Sequence, residues 1–285
     1  MPELPEVETV RRGLETVTLH HPILEVVVLY PRSIGHPTPQ QFVQALPQAQ
    51  IQHWDRRGKY LLAHLIGPEQ TPLGVLGAHL RMSGQLLWLA QDEPLHKHTR
   101  VRFLMTQGQE LRFVDQRTFG QLWWVPSPCP PESIITGLQG LGPEPFSADF
   151  SLDYLCQALC DRSRPIKTAL LDQRLVAGVG NIYADEALFH SGIHPATRCA
   201  HLQKQQIRQL WKSVRHVLQA GIKAGGTSFS TFTGVTGING NYGGEAWVYG
   251  RKAHPCKVCH TPIEQIKLAG RSAHFCPTCQ RQQDP

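Results

Sequence analysis

The sequence lacks the features of membrane-spanning and secreted proteins. No apolar run approaches the roughly 18 residues that a membrane-spanning helix requires. The first eight residues carry three glutamates, whereas a secretory signal peptide would have an apolar core there. The chain also shows no internal repeat. These absences argue against a membrane protein and a repeat array, and we expect a soluble, intracellular protein.

A disulfide framework is also missing, although the chain contains eight cysteines. Four of them follow no regular spacing, and we expect reduced, packed side chains: Cys129, Cys156, Cys160 and Cys199. The other four form two Cys-x2-Cys pairs that are separated by sixteen residues: Cys256, Cys259, Cys276 and Cys279. This spacing is typical of one tetrahedral zinc ion bound by four thiolates.

The predicted zinc is structural, because four thiolates leave no open position for water or a substrate. The segment from Ile263 to Phe275 has room for a β-hairpin that turns near Ala269 and Gly270. Two disulfides in a secreted protein are the alternative interpretation, and the lack of a signal peptide disfavours it. We therefore predict a zinc ribbon over residues 246–285.

The length of 285 residues predicts two domains and a small module. The formal net charge of +6 is a moderate basic bias that suits a polyanionic partner. Proline and glycine cluster between residues 126 and 150, which predicts an interdomain linker there. We expect domains at 1–125 and 151–245.

The first domain is predicted to be mainly β, and the second mainly helical. Short runs rich in branched and aromatic residues predict strands at 23–30, 60–65, 85–89, 101–105 and 121–125. Apolar periodicity predicts helices at 151–160, 168–176, 182–190 and 202–224. A glycine-rich stretch, about 225–244, is predicted to be a mobile loop. The fold class is therefore α+β: an N-terminal β-sandwich with flanking helices, a helical domain and a zinc ribbon.

The N-terminus contains a candidate nucleophile. Removal of Met1 would make Pro2 a free secondary amine, and an α-amine is less protonated than lysine near neutral pH. Attack of this amine on a sugar C1′ gives a cationic iminium that accepts electrons. Glu3 is a neighbouring carboxylate for proton transfer, and Pro5 suits the first turn of a helix. An ordinary amphipathic helix with acidic residues in its first turn is the alternative.

Three further segments of the β half carry candidate DNA-contacting residues. Lys59 follows a glycine turn at the start of a strand, although a solvated basic turn is equally compatible. Met82 lies near a turn, where it would be either core filler or a wedge between bases. Arg117 and Phe119 combine the side-chain types needed to fill a vacated base position.

In the helical half, residues 169–190 predict two helices joined by a tight connection. Gly178 and Gly180 allow unusual backbone geometry, and Asn181 is placed at the N-cap of the second helix. Free N–H groups there suit a phosphate. The basic residues Arg162 and Lys167 lie just upstream. A capped helical hairpin with a solvated basic face is the alternative.

Together these motifs resemble the formamidopyrimidine-DNA glycosylase family over essentially the whole chain. The N-terminal MPELPEVE, then RRGKYL, HLRMSG, RTFG, VAGVGNIYADEALF, VYGRK and the cysteine pairs occur in the family's order. Leu4 and Val7 favour this branch over the related endonuclease VIII enzymes, which typically have glycine at the position of Leu4.

The resemblance implies base-excision repair of double-stranded DNA that contains an oxidised base or an abasic site. It implies that Pro2 is the nucleophile that forms a Schiff base and that Glu3 is its acid–base partner. Lys59 would donate a proton associated with β-elimination, and Arg271 would act in δ-elimination and phosphate binding. The fold implied is a β-sandwich joined to a helix-two-turn-helix domain with a zinc hairpin.

Other DNA-contacting roles are also implied by the resemblance. His98, Arg117 and Arg162 match DNA-binding positions, and Lys167 and Asn181 match phosphate-binding positions. Met82, Arg117 and Phe119 match a triad that fills the gap left by the flipped nucleotide. Flipping is required because the base and C1′ are inaccessible in a stacked duplex.

Two departures from the family pattern concern lesion recognition. Thr118 stands where members often have a second arginine, which implies one phosphate contact fewer. The segment from Gly226 to Phe232 differs from the usual form of the loop over the extruded base. We expect 8-oxoguanine opposite cytosine and formamidopyrimidines as substrates. An endonuclease VIII-like enzyme for oxidised pyrimidines and a non-catalytic zinc-ribbon DNA-binding protein remain alternatives. We expect a cytoplasmic monomer associated with DNA.

Overall fold

The computed structural model describes residues 1–19, 21–227, 235 and 242–281. The chain divides into two compact units, Met1–Gly140 with Gly225–Asn241, and Leu141–Ala224 with Tyr242–Pro285. The boundary at Gly140 lies inside the predicted linker.

The first unit contains a two-sheet sandwich with flanking helices. Its helices are α1 (Leu4–Thr18), α2 (Pro39–Ala45) and α3 (Pro131–Ile134). Its strands are β1 (Ile23–Val28), β2 (Ile34–His36), β3 (Gln50–Arg57), β4 (Tyr60–Ile66), β5 (Pro72–His79), β6 (Gly84–Ala90), β7 (Thr99–Met105), β8 (Gln109–Asp115) and β9 (Gln121–Pro126). The sheets have the orders β1-β7-β8-β6 and β2-β9-β5-β4-β3. Each neighbouring pair is antiparallel except β2 with β9.

The core of this unit follows the alternation of each strand. On β7 every second residue from Thr99 to Met105 is buried, as expected when only one face of a strand packs inward. Apolar side chains of both sheets and of α1, such as Val10, Leu61 and Phe103, join one cluster.

Within the predicted glycine-rich loop, residues 225–227 and Val235 belong to the first unit, whereas the sequence prediction places the loop in the helical domain. Val235 is buried in the sandwich core, and its carbonyl accepts a 3.0 Å hydrogen bond from Trp88 N–H. The rest of the predicted glycine-rich loop, apart from residues 225–227 and 242–244, lies outside the described residues.

The second unit is helical and ends in a hairpin. Its helices are α4 (Leu152–Leu159), α5 (Ile166–Leu171), α6 (Asn181–His190), α7 (Lys204–Lys223) and α8 (Tyr242–Glu245). The hairpin consists of β10 (Glu264–Leu268) and β11 (Arg271–Phe275) and turns at Ala269 and Gly270, as predicted. Both turn residues have positive φ, 46° and 78°, as a two-residue hairpin turn of type I′ requires.

Two details of the helix pair correct the sequence prediction. Helix α5 ends at Leu171 and not near residue 176, because the side chain of Gln173 donates to Val179 O and accepts from Gly178 N–H. Such side-chain bonds compete with the helical ladder. The N-cap of α6 is Gly180, so Asn181 is its first helical residue. Gly178 has a φ of 89°, whereas Gly180 is extended.

Over the described ranges, every helix is too short or too polar to cross a membrane.

Candidate active site and metal centre

The N-terminus of α1 is a buried, hydrogen-bonded structure. Pro2 is buried and directly precedes Glu3, which is the N-cap residue of α1. Glu3 and Glu6 form a reciprocal capping box, with Glu3 N–H donating to Glu6 Oε2 at 2.8 Å. The other oxygen, Glu6 Oε1, accepts from Thr227 N–H at 2.8 Å and from its hydroxyl at 3.0 Å. Glu6 therefore links the Pro2 segment to the start of the glycine-rich stretch.

Lys59 lies in the turn of the β3–β4 hairpin. Arg57 pairs with Tyr60, so Gly58 and Lys59 form a two-residue turn. Gly58 has a φ of 56°, a conformation that glycine adopts without strain. Arg56 fixes this turn, because its guanidinium donates to Gly58 O at 3.0 Å and to Glu8 of α1 at 3.1 Å. The Lys59 side chain is buried.

His79, at the end of β5, is a site neighbour that sequence reasoning did not single out. Burial, together with the charges of Arg81 and Lys59, lowers the pKa of His79 to about 3. Its Nδ1 accepts a hydrogen bond from Arg81 N–H at 3.0 Å, and its ring packs edge-on against Tyr60. His79 is therefore a neutral imidazole across the physiological pH range.

The predicted triad lies on two loops of the sandwich. Met82 lies in the β5–β6 loop, and Arg117 and Phe119 lie in the β8–β9 loop. The Phe119 side chain is 54% exposed, which is unusual for a large aromatic residue without a partner surface. The Arg117 guanidinium lies 5.0 Å from the centre of the Phe119 ring. Thr118, between them, adopts a φ of 57° that β-branched residues rarely tolerate.

Asp115 joins these two loops. Its buried carboxylate accepts from Ser83 Oγ at 2.5 Å, from Arg117 N–H at 3.3 Å and from Gly120 N–H at 2.7 Å. Ser83 Oγ in turn accepts from Arg117 N–H at 2.9 Å. One carboxylate therefore fixes the position of both loops at the same place on the sandwich.

His98 belongs to the same region. Its carbonyl accepts from Asp115 N–H at 2.9 Å, and its Nδ1 lies 3.2 Å from a guanidinium nitrogen of Arg100. Desolvation and the neighbouring cations Lys97 and Arg100 lower the pKa of His98. The candidate DNA-contacting residues of the first unit thus cluster along adjacent loops.

In the second unit, the N-terminus of α6 lies beside the zinc hairpin. Asn181 Nδ2 is 3.4 Å from Ser272 Oγ, and Ser272 follows the exposed Arg271 at the start of β11. The structure therefore brings Asn181 close to the strand that carries Arg271. Arg162 is half-buried in the turn between α4 and α5, where its backbone carbonyl accepts from Ala200 N–H at 3.0 Å.

Lys167, a predicted phosphate-binding residue, lies inside the second unit. The Lys167 side chain is 1% exposed, and its ammonium forms a 2.5 Å ion pair with the buried Asp185. The same ammonium donates to the carbonyl of Ser272. Asp185 also accepts from His274 N–H at 2.9 Å. Lys167 therefore links the hairpin to α6 inside the unit. The Asp185 carboxylate, and not solvent, balances its charge.

The four ribbon cysteines fit a single zinc ion. Their sulfur atoms all lie within 4.8 Å of one another. The Cys256–Cys279, Cys259–Cys276 and Cys259–Cys279 pairs are separated by 3.9, 3.4 and 3.5 Å. Zinc–sulfur bonds of about 2.3 Å in a tetrahedron place sulfur atoms about 3.8 Å apart. The backbone N–H of Val258 donates to Cys256 Sγ at 3.4 Å.

Family models match three successive parts of the chain. They are the formamidopyrimidine-DNA glycosylase N-terminal domain at residues 1–122, the H2TH domain of the same family at 141–233, and a zinc finger found in FPG and IleRS at 253–282. The chain is 60% identical over 281 residues to the formamidopyrimidine-DNA glycosylase of Acaryochloris marina, which covers 98% of this chain and 99% of the relative. The chain belongs to the formamidopyrimidine-DNA glycosylase family.

Solved structures of this family agree in fold. A complex of the Lactococcus lactis Fpg with DNA containing an abasic site has a TM-score of 0.90 and 36% identity, over 98% of this chain and 100% of that chain. A complex of the same Lactococcus protein with DNA containing an oxidised pyrimidine has a TM-score of 0.89 and 35% identity, over 99% and 100%. The predicted α+β fold of the formamidopyrimidine-DNA glycosylase family is thereby confirmed.

Sequence reasoning missed three acidic side chains that organise the family's motifs here: Glu6, Asp115 and Asp185. Each is buried and accepts at least two hydrogen bonds within its unit. Glu6 carried a usable signal, because an acidic residue three positions after an acidic N-cap residue predicts a capping box. Asp115 has a partner in another loop, and the partners of Asp185 lie on α5 and β11, which a sequence pattern does not connect.

Proposed function

We propose that this chain excises oxidised purines from duplex DNA and then cleaves the strand, with Pro2 as the nucleophile. The observation that carries the proposal is the buried Pro2 directly before the N-cap residue Glu3 of α1, next to the Glu3–Glu6 capping box. The positive end of a helix lowers the pKa of a nearby amine, which favours its nucleophilic form. Pro2 is a small second residue, which supports removal of Met1 by the usual aminopeptidase.

The proposed reaction begins when the Pro2 nitrogen attacks C1′ of the damaged nucleotide. The C1′–N bond to the base breaks, and the base departs with that electron pair and a proton. Opening of the sugar ring converts the adduct into an iminium, and Glu3 exchanges the protons that this requires. The iminium then accepts the electrons of the C2′–H bond, so the 3′ phosphate is expelled by β-elimination. A second elimination removes the C4′ proton and expels the 5′ phosphate, and water then hydrolyses the remaining iminium and frees Pro2.

Lys59 and Arg271 are proposed to serve the two eliminations. Lys59 is held in a fixed turn by Arg56, which supports a role as the proton donor associated with β-elimination. Arg271 is exposed at the start of β11, and the neighbouring Ser272 approaches Asn181. This cluster of donors at the α6 N-terminus supports phosphate binding, with Arg271 acting at δ-elimination. Zinc would hold the hairpin in shape and take no part in the chemistry.

Base flipping is assigned to the loops joined by Asp115. Met82, Arg117 and Phe119 would fill the gap left by the extruded nucleotide, and the exposure of Phe119 supports this role. His98 and Arg162 are proposed to contact the DNA backbone. Inserted apolar side chains offset part of the unstacking cost, which is a few kcal/mol per step.

A borohydride-trapping experiment tests the proposal. A duplex with one 8-oxoguanine opposite cytosine is incubated with the protein and with a variant carrying one extra N-terminal residue. The mature protein should give a covalent adduct that maps to Pro2 and should leave phosphate at both ends of the gap. The extended variant has no free Pro2 amine and should form no adduct. Pro2→Gly retains a primary amine and should retain some lyase activity.

The outcomes separate the alternatives. Trapping that survives the N-terminal extension would transfer the nucleophile role to Lys59. DNA binding without incision or adduct would favour a non-catalytic zinc-ribbon protein. Oxidised pyrimidines are the second candidate substrate class, because the similar Lactococcus protein has been solved with DNA containing one. Incision of only those lesions would keep the mechanism and change the specificity. We propose that the protein acts in the cytoplasm on DNA, where a reducing environment preserves the zinc thiolates.

A further inference from the structure

Three side chains of the types that bind metals lie close together on β3 and β4, at the edge of the five-stranded sheet. They are separate from the residues discussed above. His53 and Asp55 lie two positions apart on β3, and such residues point to the same face of a strand. His64 on β4 is the direct cross-strand partner of His53. The strand register therefore places two imidazoles and one carboxylate on the same face.

The ligand atoms of this cluster already lie close together. Asp55 Oδ2 is 3.0 Å from His64 Nε2 and 3.6 Å from His53 Nε2. One ligand atom of each side chain lies within 4.8 Å of the other two. Two ligands of a tetrahedral zinc ion, bound at about 2.0–2.1 Å, are about 3.3–3.4 Å apart. The two distances to the carboxylate lie on either side of that value.

The environment leaves room for an ion and its water. The side chains of His53, Asp55 and His64 are 43%, 60% and 35% exposed, so an ion bound there remains accessible to solvent. A neutral imidazole is the form that binds metals. The two rings are stacked, with centroids 4.1 Å apart.

We propose that His53, Asp55 and His64 form a second metal site, which takes a divalent ion of the zinc type with water in the remaining position. Imidazole and carboxylate ligands favour late first-row ions over magnesium and calcium. The site differs from the cysteine ribbon in its ligands, which are nitrogen and oxygen instead of sulfur. Its affinity for the ion is also lower, because three exposed ligands bind an ion reversibly. Its occupancy would cross-link β3 and β4, the two strands of the hairpin whose turn contains Lys59.

The test counts zinc in the intact protein with its ribbon filled. Wild type and the double variant His53→Gln/His64→Gln are dialysed against buffered free Zn²⁺ in the micromolar range, and bound metal is measured by mass spectrometry. Wild type should bind two zinc ions and the double variant one. His201→Gln, which alters an exposed histidine of the second unit, is the matched control and should still bind two.

A second measurement locates the ion. Added Zn²⁺ should slow amide hydrogen exchange in β3 and β4 of the wild type and leave the exchange of the double variant unchanged. Asp55→Asn should weaken binding while the histidines remain. The proposal is wrong if wild type binds only the ribbon zinc, or if the second zinc persists in the double variant. All three residues are on the surface, so these substitutions should not impair folding.

Discussion

Replacement of Asp185 by Asn should destabilise the second unit more than any change of similar size on its surface. The Asp185 carboxylate pairs with the Lys167 ammonium at 2.5 Å, and these side chains are 0% and 1% exposed. The amide removes the negative charge and leaves a buried cation without its counterion. Breaking a buried pair in this way costs about 3–5 kcal/mol. That cost is a large share of the roughly 5–15 kcal/mol that stabilises a domain.

The same substitution should disturb the hairpin that carries Arg271. The Lys167 ammonium and the Asp185 carboxylate both bond β11, through Ser272 and His274. A loss of about 4 kcal/mol corresponds to a fall in Tm on the order of 10–15 °C for a unit of this size. We also expect faster zinc release and a higher ratio of β- to δ-elimination product, because Arg271 is proposed to act only in the second elimination.

Denaturant unfolding, zinc release to a chromogenic chelator and gel analysis of the product ends measure these effects. Asp153→Asn, an exposed change on α4, is the control and should stay within about 0.5 kcal/mol of wild type. Adding Lys167→Met to Asp185→Asn removes the unpaired charge and should recover part of the stability. A loss below 1 kcal/mol for Asp185→Asn, with zinc release unchanged, would refute the argument.

Three other perturbations test the remaining contacts. Glu6→Gln should slow borohydride trapping, because the amide loses about one charge-assisted hydrogen bond worth 1.5–3 kcal/mol. Glu25→Gln, on the surface of β1, is the control. Equal trapping rates for the two variants would contradict a role of Glu6 in positioning Pro2. Zinc chelation should accelerate amide exchange in β10 and β11 and leave β7 protected. An equal acceleration in the hairpin and in β7 would argue against a structural ion confined to the ribbon. His79 has a pKa of about 3 in the folded protein and an ordinary value of 6.5, so the unfolded chain binds more protons between these two values. The free energy of unfolding should therefore fall as the pH drops from 7 to 3. His79→Gln should reduce this pH dependence in urea titrations, and an unchanged pH dependence would exclude the effect.

The sequence predicted the elements whose residues repeat at a clear period. The five strands predicted in the β half are present, and the hairpin turn lies at Ala269 and Gly270 because the cysteine pairs fix its ends. Strand β8 escaped prediction because Glu110 and Arg112 interrupt its apolar pattern. Both are buried and form an ion pair, with Arg102 as a further partner of Glu110. In the sequence alone, a charged residue that is buried and paired cannot be distinguished from one on the surface.

The candidate site shows the same limit. Pro2, Lys59 and the cysteines follow from local motifs, and the four cysteine sulfur atoms lie together as predicted. The roles of Pro2, Lys59 and Lys167 stay predictions. The sequence did not reveal the ion pair of Lys167, because its partner Asp185 is 18 residues away. The sequence shows a basic residue in a basic run, and only the packing of α5 against α6 neutralises it.

The Asp115 carboxylate has a consequence for the search for damage. It bonds Ser83 in one loop and two backbone N–H groups in the other, so the two loops are held together within the protein itself. If Met82, Arg117 and Phe119 fill the gap in the duplex as proposed, the loops that carry them are positioned during folding. Part of the entropy cost of ordering an interface would then be met before DNA is bound. Under this proposal every base pair would meet the same pair of loops, and a damaged pair would be recognised because it unstacks more easily.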